Sequence, residues 1–151
     1  MSATADQPFL IIEADVSAPF EPGHIGAGSR RCIPIVGGRV SGAVEGEIIA
    51  GGADWQTIHD DGNLAIEAHY AFRTAEGDIV EVLSSGVRAG PPEILARLGA
   101  GEAVDSALYY FRTSIRFRTG SQRLAQLNWK LGIARGARRP GGVRLEVFEV
   151  L

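Results

Sequence analysis

Two long segments of this chain alternate between apolar and other residues with a period of two. Every second residue from Leu64 to Phe72 is apolar, and the residues between them include Glu67 and His69. The odd-numbered residues of the segment 107–117 are apolar apart from one threonine, and their neighbours include two arginines. Consecutive side chains of a β-strand point to opposite faces, so both segments are predicted to be strands with one buried face.

Glycines separate the other short apolar runs of the chain. There are 20 glycines in 151 residues, and pairs such as Gly37-Gly38 and Gly51-Gly52 mark turns or bulges. The segments 91–98 and 121–128 are the two candidates for short helices, because each has a start signal and inward leucines. The pattern predicts an all-β, mainly antiparallel fold: a small curled meander or closed β-barrel, lipocalin-like in outline, with one or two short helices.

Chain length and cysteine content restrict the class of protein. A chain of 151 residues fits a single domain over residues 1–151, with residues 1–7 expected to be flexible. The lone Cys32 excludes an intramolecular disulfide and a thiolate zinc site built by one chain. No apolar run is long enough for a membrane helix, and the start lacks a secretion signal. A cytoplasmic protein with no membrane partner is expected.

Charge distribution and motifs argue against nucleic acids, nucleotides and metals. The net charge is −3, with 6 basic and 15 acidic residues in 1–104 and 9 basic and 3 acidic residues in 105–151. The basic part is rich in apolar, β-prone residues, so we expect it to be folded into the sheet rather than to bind nucleic acid. The glycine-rich segment 23–28 precedes a strand rather than a helix, and no histidine spacing suits a metal. No cofactor and no metal site are predicted.

Asp54 and Trp55 follow two glycines and form the first candidate site. A carboxylate beside an indole can act as a general base next to an aromatic substrate. The alternative is structural, with Asp54 capping a turn and Trp55 filling the end of the barrel.

Glu67 and His69 share the polar face of the first alternating strand, where they could line a substrate site and exchange protons. The alternative is an ordinary solvated face. Tyr70, on the opposite face, would then lie nearer the barrel interior.

Tyr110 and Arg112 share a face of the second alternating strand, and Arg88 ends a neighbouring strand. An arginine facing a cavity can hold an anionic oxygen with two hydrogen bonds, and a tyrosine hydroxyl can stabilise an oxyanion. The alternative is a structural salt bridge to a buried acid, with Asp54 as a candidate.

Several short strings together resemble a known family. They are Gly-Gly-Ala-Asp-Trp-Gln at 51–56, Ser-Gly-Val-Arg at 85–88, Tyr-Phe-Arg-Thr at 110–113 and Leu-Asn at 127–128. They resemble the bacterial and fungal family called domain of unknown function 3237, or uncharacterised protein family 0311, from about residue 8 to residue 150. The resemblance implies a small β-barrel whose few characterised members look like cofactor-free enzymes acting on phenolic or polyketide-like molecules. Ser84 departs from the asparagine usual in the family.

These observations lead to a ranked set of functions. The first is a cofactor-independent enzyme of lyase, isomerase or cyclase type, with Asp54, Arg112 and Tyr110 as catalytic residues. Its substrate would be an aromatic or polyketide-like molecule, bound by the residues Trp55, Tyr70, Arg88, Glu67, His69, Asn128 and Trp129. The second is a lipocalin-type binding protein for a small apolar or anionic ligand. The third is a filled barrel with a structural role, without a cavity of roughly 300 Å³. A homo-oligomer is expected because an incompletely closed barrel leaves an edge to cover.

Overall fold

The computed structural model, which describes residues 1–151, is built almost entirely from antiparallel β-strands. The strands are β1 (Leu10–Val16), β2 (Phe20–His24), β3 (Ser29–Gly42), β4 (Gly46–Ile58), β5 (Leu64–Thr74), β6 (Ile79–Ala89), β7 (Tyr110–Thr119), β8 (Leu131–Arg139) and β9 (Gly142–Glu149). The single α-helix, α1, spans Pro92–Gly99, and two short 3₁₀ turns span Ser106–Leu108 and Ala125–Trp129. The predicted all-β class is confirmed.

Eight of the nine strands close into a barrel. The sheet order is β1-β9-β8-β7-β6-β5-β4-β3-β2, and pairing of β1 with β3 closes the ring. The remaining strand, β2, pairs with the first part of β3 on one side only. Closure removes the free edges of the sheet except that of β2, so the open edge on which we based the expectation of an oligomer is much shorter than assumed.

The two predicted helices have different outcomes. Helix α1 begins one residue later than expected and buries Leu95 and Leu98. The segment 121–128 is not a regular α-helix, and only Ala125–Trp129 forms a 3₁₀ turn there. Its two buried leucines, Leu124 and Leu127, are three residues apart, which matches the three residues per turn of a 3₁₀-helix.

The apolar face of each alternating strand lies inside the barrel, which the sequence pattern alone had left open. On β5, Leu64, Ile66, Tyr70 and Phe72 are buried, whereas Glu67 is exposed. On β7 the buried residues are Phe111, Thr113, Ile115 and Phe117. The largest fully buried side chains include Phe72, Leu10, Ile12, Val80 and Val82, and they are part of one contiguous core.

The two ends of the chain lie side by side. The residues 1–7, which we expected to be flexible, are joined to the C-terminal segment by hydrogen bonds from Ala5 N to Glu149 O (2.9 Å) and from Leu151 N to Ala3 O (3.0 Å). No helix of the structure has the length and apolar character needed to cross a membrane.

The close approach of β6 and β7 depends on Gly86. A Cβ atom built on Gly86 would lie 2.0 Å from the carbonyl oxygen of Arg112 and 2.6 Å from Cα of Thr113. Gly86→Ala is therefore expected to lower the free energy of unfolding by about 1–3 kcal/mol or more, because the two strands must separate. Urea unfolding measures the loss, and Gly120→Ala is the control, since no heavy atom lies within 4 Å there. Equal stability of the two variants would contradict this packing.

Candidate functional site

One end of the barrel interior contains a cavity of about 290 Å³. This volume is close to the lower end of the range for ligand pockets, about 300 Å³. The lining combines apolar walls with a set of polar side chains. The apolar residues are Ala14, Val16, Pro19, Ile33, Ile35, Ile66, Ala68, Leu98, Phe111, Val143 and Leu145. The polar residues are Ser17, Arg31, Asp54, Gln56, Tyr70, Ser84, Arg88, Thr113 and Arg138.

A distortion in β4 places Asp54 against this cavity. The register of β4 on β5 shifts between Ile49 and Ala53, so β4 has extra residues here, and Gly51 adopts a positive φ of 117°. A Cβ atom on Gly52 would lie 2.4 Å from Cβ of Tyr70, so only glycine lets β5 pass this closely. The string that carried the family resemblance therefore acts as a bulge that brings Asp54 and Tyr70 together inside the barrel.

Asp54 is held by a chain of hydrogen bonds that ends at an arginine. The Gln56 amide Nε2 donates to Asp54 Oδ2 at 2.8 Å. In turn Arg31 Nε donates to Gln56 Oε1 at 3.0 Å. Gln56 is buried and Arg31 is half-buried, so the chain fixes the orientation of the carboxylate. Asp54 forms no ion pair within 4.0 Å.

Four buried side-chain atoms of the lining make no hydrogen bond within the protein. They are Asp54 Oδ1, Tyr70 OH, Arg88 Nε and Thr113 Oγ1. A buried polar atom without a partner costs about 1–3 kcal/mol, so such atoms are normally rare. Their concentration in one cavity means that the polar end of the pocket suits an occupant with matching donors and acceptors.

Burial shifts the ionisation of the groups around the cavity. The pKa of Asp54 is raised above its ordinary value of 3.8, mainly because burial disfavours the charged form, while Gln56, Arg31 and Arg88 oppose the shift. Burial, followed by the charges of Arg138 and Arg31, lowers the pKa of Arg88 to about 10, so Arg88 stays cationic at neutral pH. Burial, and then the charge of Asp54, raises the pKa of Tyr70, which keeps its hydroxyl protonated as a donor.

Three of the sequence-predicted site residues lie together in this cavity. Asp54, Tyr70 and Arg88 all line it. Tyr70 and Arg88 are only 5% and 6% exposed, respectively. The salt bridge considered between an arginine and Asp54 is not formed, and Arg31 contacts Asp54 only through Gln56.

Trp55, Glu67 and His69 lie on the outer surface, so the prediction that Trp55 forms one site with Asp54 is wrong. Alternation along β4 turns Trp55 outward because its neighbour Asp54 points inward. Trp55 is 38% exposed and packs edge-on against Phe20, with ring centroids 5.8 Å apart. It pairs with Glu67 across β4 and β5, and these two residues and His69 border an open depression on the outside. His69 Nε2 lies 2.5 Å from a carboxylate oxygen of Glu81.

Tyr110 and Arg112 also lie outside the barrel, which corrects their predicted place at the pocket. They share the outer face of β7, because Phe111 and Thr113 occupy the inner face. The Arg112 guanidinium lies over the Tyr110 ring at 4.9 Å, and its Nη1 donates to the Phe111 carbonyl at 2.9 Å. Tyr110 is 54% exposed. Neither residue can reach a ligand inside the barrel from this position.

Asn128 and Trp129, predicted to bind substrate, lie away from the cavity. Asn128 bridges to the end of β7: the Thr119 backbone N–H donates to Asn128 Oδ1 at 2.8 Å, and Asn128 Nδ2 donates to the Thr119 carbonyl at 3.0 Å. Trp129 is 91% exposed. The contribution of Asn128 is to hold the 3₁₀ turn Ala125–Trp129 against the barrel.

Four cavity residues were missed by the sequence analysis: Arg31, Gln56, Thr113 and Arg138. Ser84, noted there as a departure from the family, also lines the cavity. Gln56 could have been found, because it lies two residues beyond Asp54 on the same strand face. Thr113 was already assigned to the apolar face of β7. Arg31 and Arg138 reach the cavity through pairings of β3 with β4 and of β8 with β9, which periodicity alone does not specify.

The cavity does not have the character of a metal site. No three side chains of histidine, cysteine, aspartate and glutamate gather in the structure as metal ligands would. Guanidinium groups, which make up the charged lining apart from Asp54, carry no free lone pair for a metal. They suit anionic or carbonyl oxygens instead.

Fold and cavity together define a closed antiparallel β-barrel with a group of polar side chains inside one end. The model of the family described as "Protein of unknown function (DUF3237)" matches residues 6–150. The chain belongs to this family. It is also 42% identical over 152 residues to the UPF0311 protein blr7842 of Bradyrhizobium diazoefficiens, and the match covers 100% of both chains.

Solved structures share the fold. The conserved protein of unknown function RPA1785 from Rhodopseudomonas palustris has a TM-score of 0.91 at 36% identity, covering 100% of this chain and 99% of that one. A structure described as an enzyme from Penicillium herquei has a TM-score of 0.74 at 17% identity, covering 100% and 97%. The second likeness concerns the fold alone.

Proposed function

We propose that this protein is a cofactor-independent enzyme that performs acid–base chemistry on a small aromatic or polyketide-like molecule inside the barrel. The reaction class is proton transfer leading to cyclisation, isomerisation or elimination. One observation carries the proposal: the half-buried Asp54 has a buried carboxylate oxygen, Oδ1, without a partner, and it lines a cavity that three arginines also line. A desolvated carboxylate with a raised pKa is a stronger base than one in water.

Five polar residues of the cavity have a role in this chemistry. Asp54 Oδ1 accepts a proton from a carbon or hydroxyl of the substrate, and the electron pair released moves to a substrate oxygen. The guanidinium of Arg88 and the hydroxyl of Tyr70 stabilise that oxyanion. Gln56 and Arg31 keep the carboxylate oriented through their hydrogen bonds. Asp54 then returns the proton at another position, which completes an isomerisation or a ring closure.

The Penicillium herquei protein adds modest support. It is described as an enzyme, and it has the same fold at 17% identity. The barrel is therefore compatible with catalysis, but the chemistry proposed for this chain rests on Asp54 and its surroundings.

A non-catalytic binding protein of lipocalin type is the second candidate. The apolar walls of the cavity favour it, since Ile35, Ile66 and Leu145 offer a surface for any compact apolar ligand. The two candidates differ in whether bound molecules are converted.

A carbon acid of known chemistry separates the two candidates. 5-Nitrobenzisoxazole is neutral and flat, and removal of its C–H proton by a base breaks the N–O bond to give a coloured cyanophenolate. We expect the protein to accelerate this ring opening and the deuterium exchange of an enolisable aryl diketone, with saturation. Absence of acceleration for both probes, with binding retained, would favour the binding protein.

The rate of this ring opening is expected to depend on pH with two limbs. Asp54 acts as a base only when ionised, so the rate rises with pH through its raised pKa, with a midpoint above 3.8. It falls again when Arg88 loses its proton near about pH 10. Initial rates corrected for buffer catalysis give the profile. A lower limb centred at or below 3.8 would contradict the assignment of a desolvated Asp54 as the base.

The cytoplasmic location and the homo-oligomer remain part of the proposal. Size-exclusion chromatography with light scattering addresses the second. A single species of 16.0 kDa, the mass of one chain, would exclude the oligomer.

A further inference from the structure

Positively charged side chains outnumber negatively charged ones in the lining of the cavity. Arg31, Arg88 and Arg138 line it together with one carboxylate, that of Asp54, which leaves a surplus of two positive charges. None of these four residues forms a salt bridge within 4.0 Å. Arg88 is buried, Arg31 and Asp54 are half-buried, and Arg138 is exposed. A buried charge is costly unless it is paired, so the unpaired Arg88 favours an added negative charge in the cavity.

The three arginines differ in how far other groups of the protein already occupy them. Arg31 is linked through Gln56 to Asp54, and the charge of Glu21, on the exposed strand β2, also acts on it. Arg88, in contrast, is 6% exposed, makes no side-chain hydrogen bond, and has Nε without a partner. The side chain of Arg138 makes no hydrogen bond either, although its backbone N–H donates to the Tyr109 hydroxyl at 2.9 Å.

Arg88 and Arg138 act on the same part of the cavity. After burial, the positive charge of Arg138 is the strongest influence that lowers the pKa of Arg88. An anion between them removes this repulsion and supplies acceptors to two planar guanidinium groups.

We propose that the cavity binds a compact planar monoanion, such as an aromatic carboxylate, with its anionic group on Arg88 and Arg138 and its ring against the apolar walls. The size agrees with this ligand class: a cavity of 150 Å³ accommodates benzene, and the volume here is about 290 Å³, which suits one or two rings. A single negative charge is favoured over two, because the Asp54 carboxylate faces the same space. This inference deepens the proposed function by naming the substrate class, and it rests on the same cavity.

Calorimetric titration with a matched pair of probes tests the inference. 2-Naphthoate and 2-naphthamide share their ring system and differ in charge. We expect the wild-type protein to bind naphthoate more tightly by about ten-fold or more, because hydrogen bonds to charged groups are the stronger ones. Equal affinities, tighter binding of the amide, or no binding of either probe at millimolar concentration would overturn the inference.

Variants locate the preference in the cavity. Arg88→Gln is expected to remove most of the discrimination between the two probes, whereas Arg88→Lys keeps a positive charge and part of it. Arg116→Gln is the control, because Arg116 is exposed on the outer face of β7. If Arg116→Gln removed the discrimination as fully as Arg88→Gln, the anion would bind outside the barrel and the inference would fail. The wild-type comparison stands even if an Arg88 variant does not fold.

The titration also separates this inference from the proposed enzyme. Asp54→Asn removes a like charge from the cavity, so it is expected to keep or increase the affinity for naphthoate. Anion preference without Asp54-dependent turnover would support the anion site and reject the proposed enzyme. Asp54-dependent turnover without anion preference would support the enzyme and reject the anion site.

Discussion

Replacing Asp54 by asparagine is expected to lower the rate of benzisoxazole ring opening by about 10²- to 10⁴-fold, the usual contribution of a positioned general base. Asparagine has nearly the same shape and can still accept the hydrogen bond from Gln56 Nε2, but it cannot take up the substrate proton. The measurement is kcat and KM under saturating probe. Because the loss concerns the base alone, KM should change only a few-fold.

Glu67→Gln is the matched control for this experiment. Glu67 is another carboxylate of the same sheet, but it lies on the outer face of β5 and is exposed. Its removal is expected to leave kcat unchanged. A similar loss in both variants, or a full rate for Asp54→Asn, would show that the proton is removed elsewhere.

The thermal stability of Asp54→Asn shows independently whether a loss of activity in this variant comes from unfolding. The pKa of Asp54 is raised in the folded state, so the folded state prefers the neutral carboxyl. The stabilising effect of that preference is present below the unfolded pKa and is lost as pH rises through the folded pKa. At pH values above its folded pKa, the ionised Asp54 therefore lowers the stability of the folded state, and Asp54→Asn is expected to have the same or a higher Tm there. A marked fall in Tm would contradict the assigned burial of this charge.

Replacing Phe72 by alanine is expected to lower the free energy of unfolding by about 3–5 kcal/mol. Phe72 is 0% exposed and is the largest of the fully buried side chains, so its removal leaves a hole that the closed barrel cannot collapse to fill. Urea unfolding followed by circular dichroism measures the loss. This size of effect is a large fraction of the stability of an ordinary domain.

Phe20→Ala is the control for Phe72→Ala. Phe20 is 54% exposed on β2, where its main contact is with the ring of Trp55. Its removal is expected to lower the free energy of unfolding by about 0.5–1.5 kcal/mol, the range for an aromatic pair. If Phe72→Ala cost no more than Phe20→Ala, the filled part of the barrel would have to be loosely packed.

Alternation along strands made the fold and part of the site predictable. Tyr70 was assigned toward the interior, and Thr113 was placed on the same face as Phe111, and both line the cavity. The barrel architecture followed from the same signal combined with turn residues. These properties are local, so they can be read from a single sequence.

The same alternation was not applied to the candidate site, and this caused the main errors. Asp54 and Trp55 are consecutive in a strand, so they cannot both face the interior, yet both were placed in one candidate site. Tyr110 and Arg112 had been placed opposite Phe111, and they were still proposed as pocket residues. Arg31 and Arg138 were missed for a different reason: their positions depend on the register between strands, which only the folded barrel defines.

Closure of the ring by β1 and β3 has a consequence for how this pocket can evolve. The girth of a closed barrel is set by its number of strands and their stagger, so it cannot widen without breaking ladder hydrogen bonds. Ligand size must then be tuned by the volume of individual inward side chains. Ala68 and Ser84 are two small ones, and they face each other across β5 and β6, with Asp54 paired to Ala68. Exchange at these two positions resizes the chamber beside the carboxylate without moving the strands that hold it.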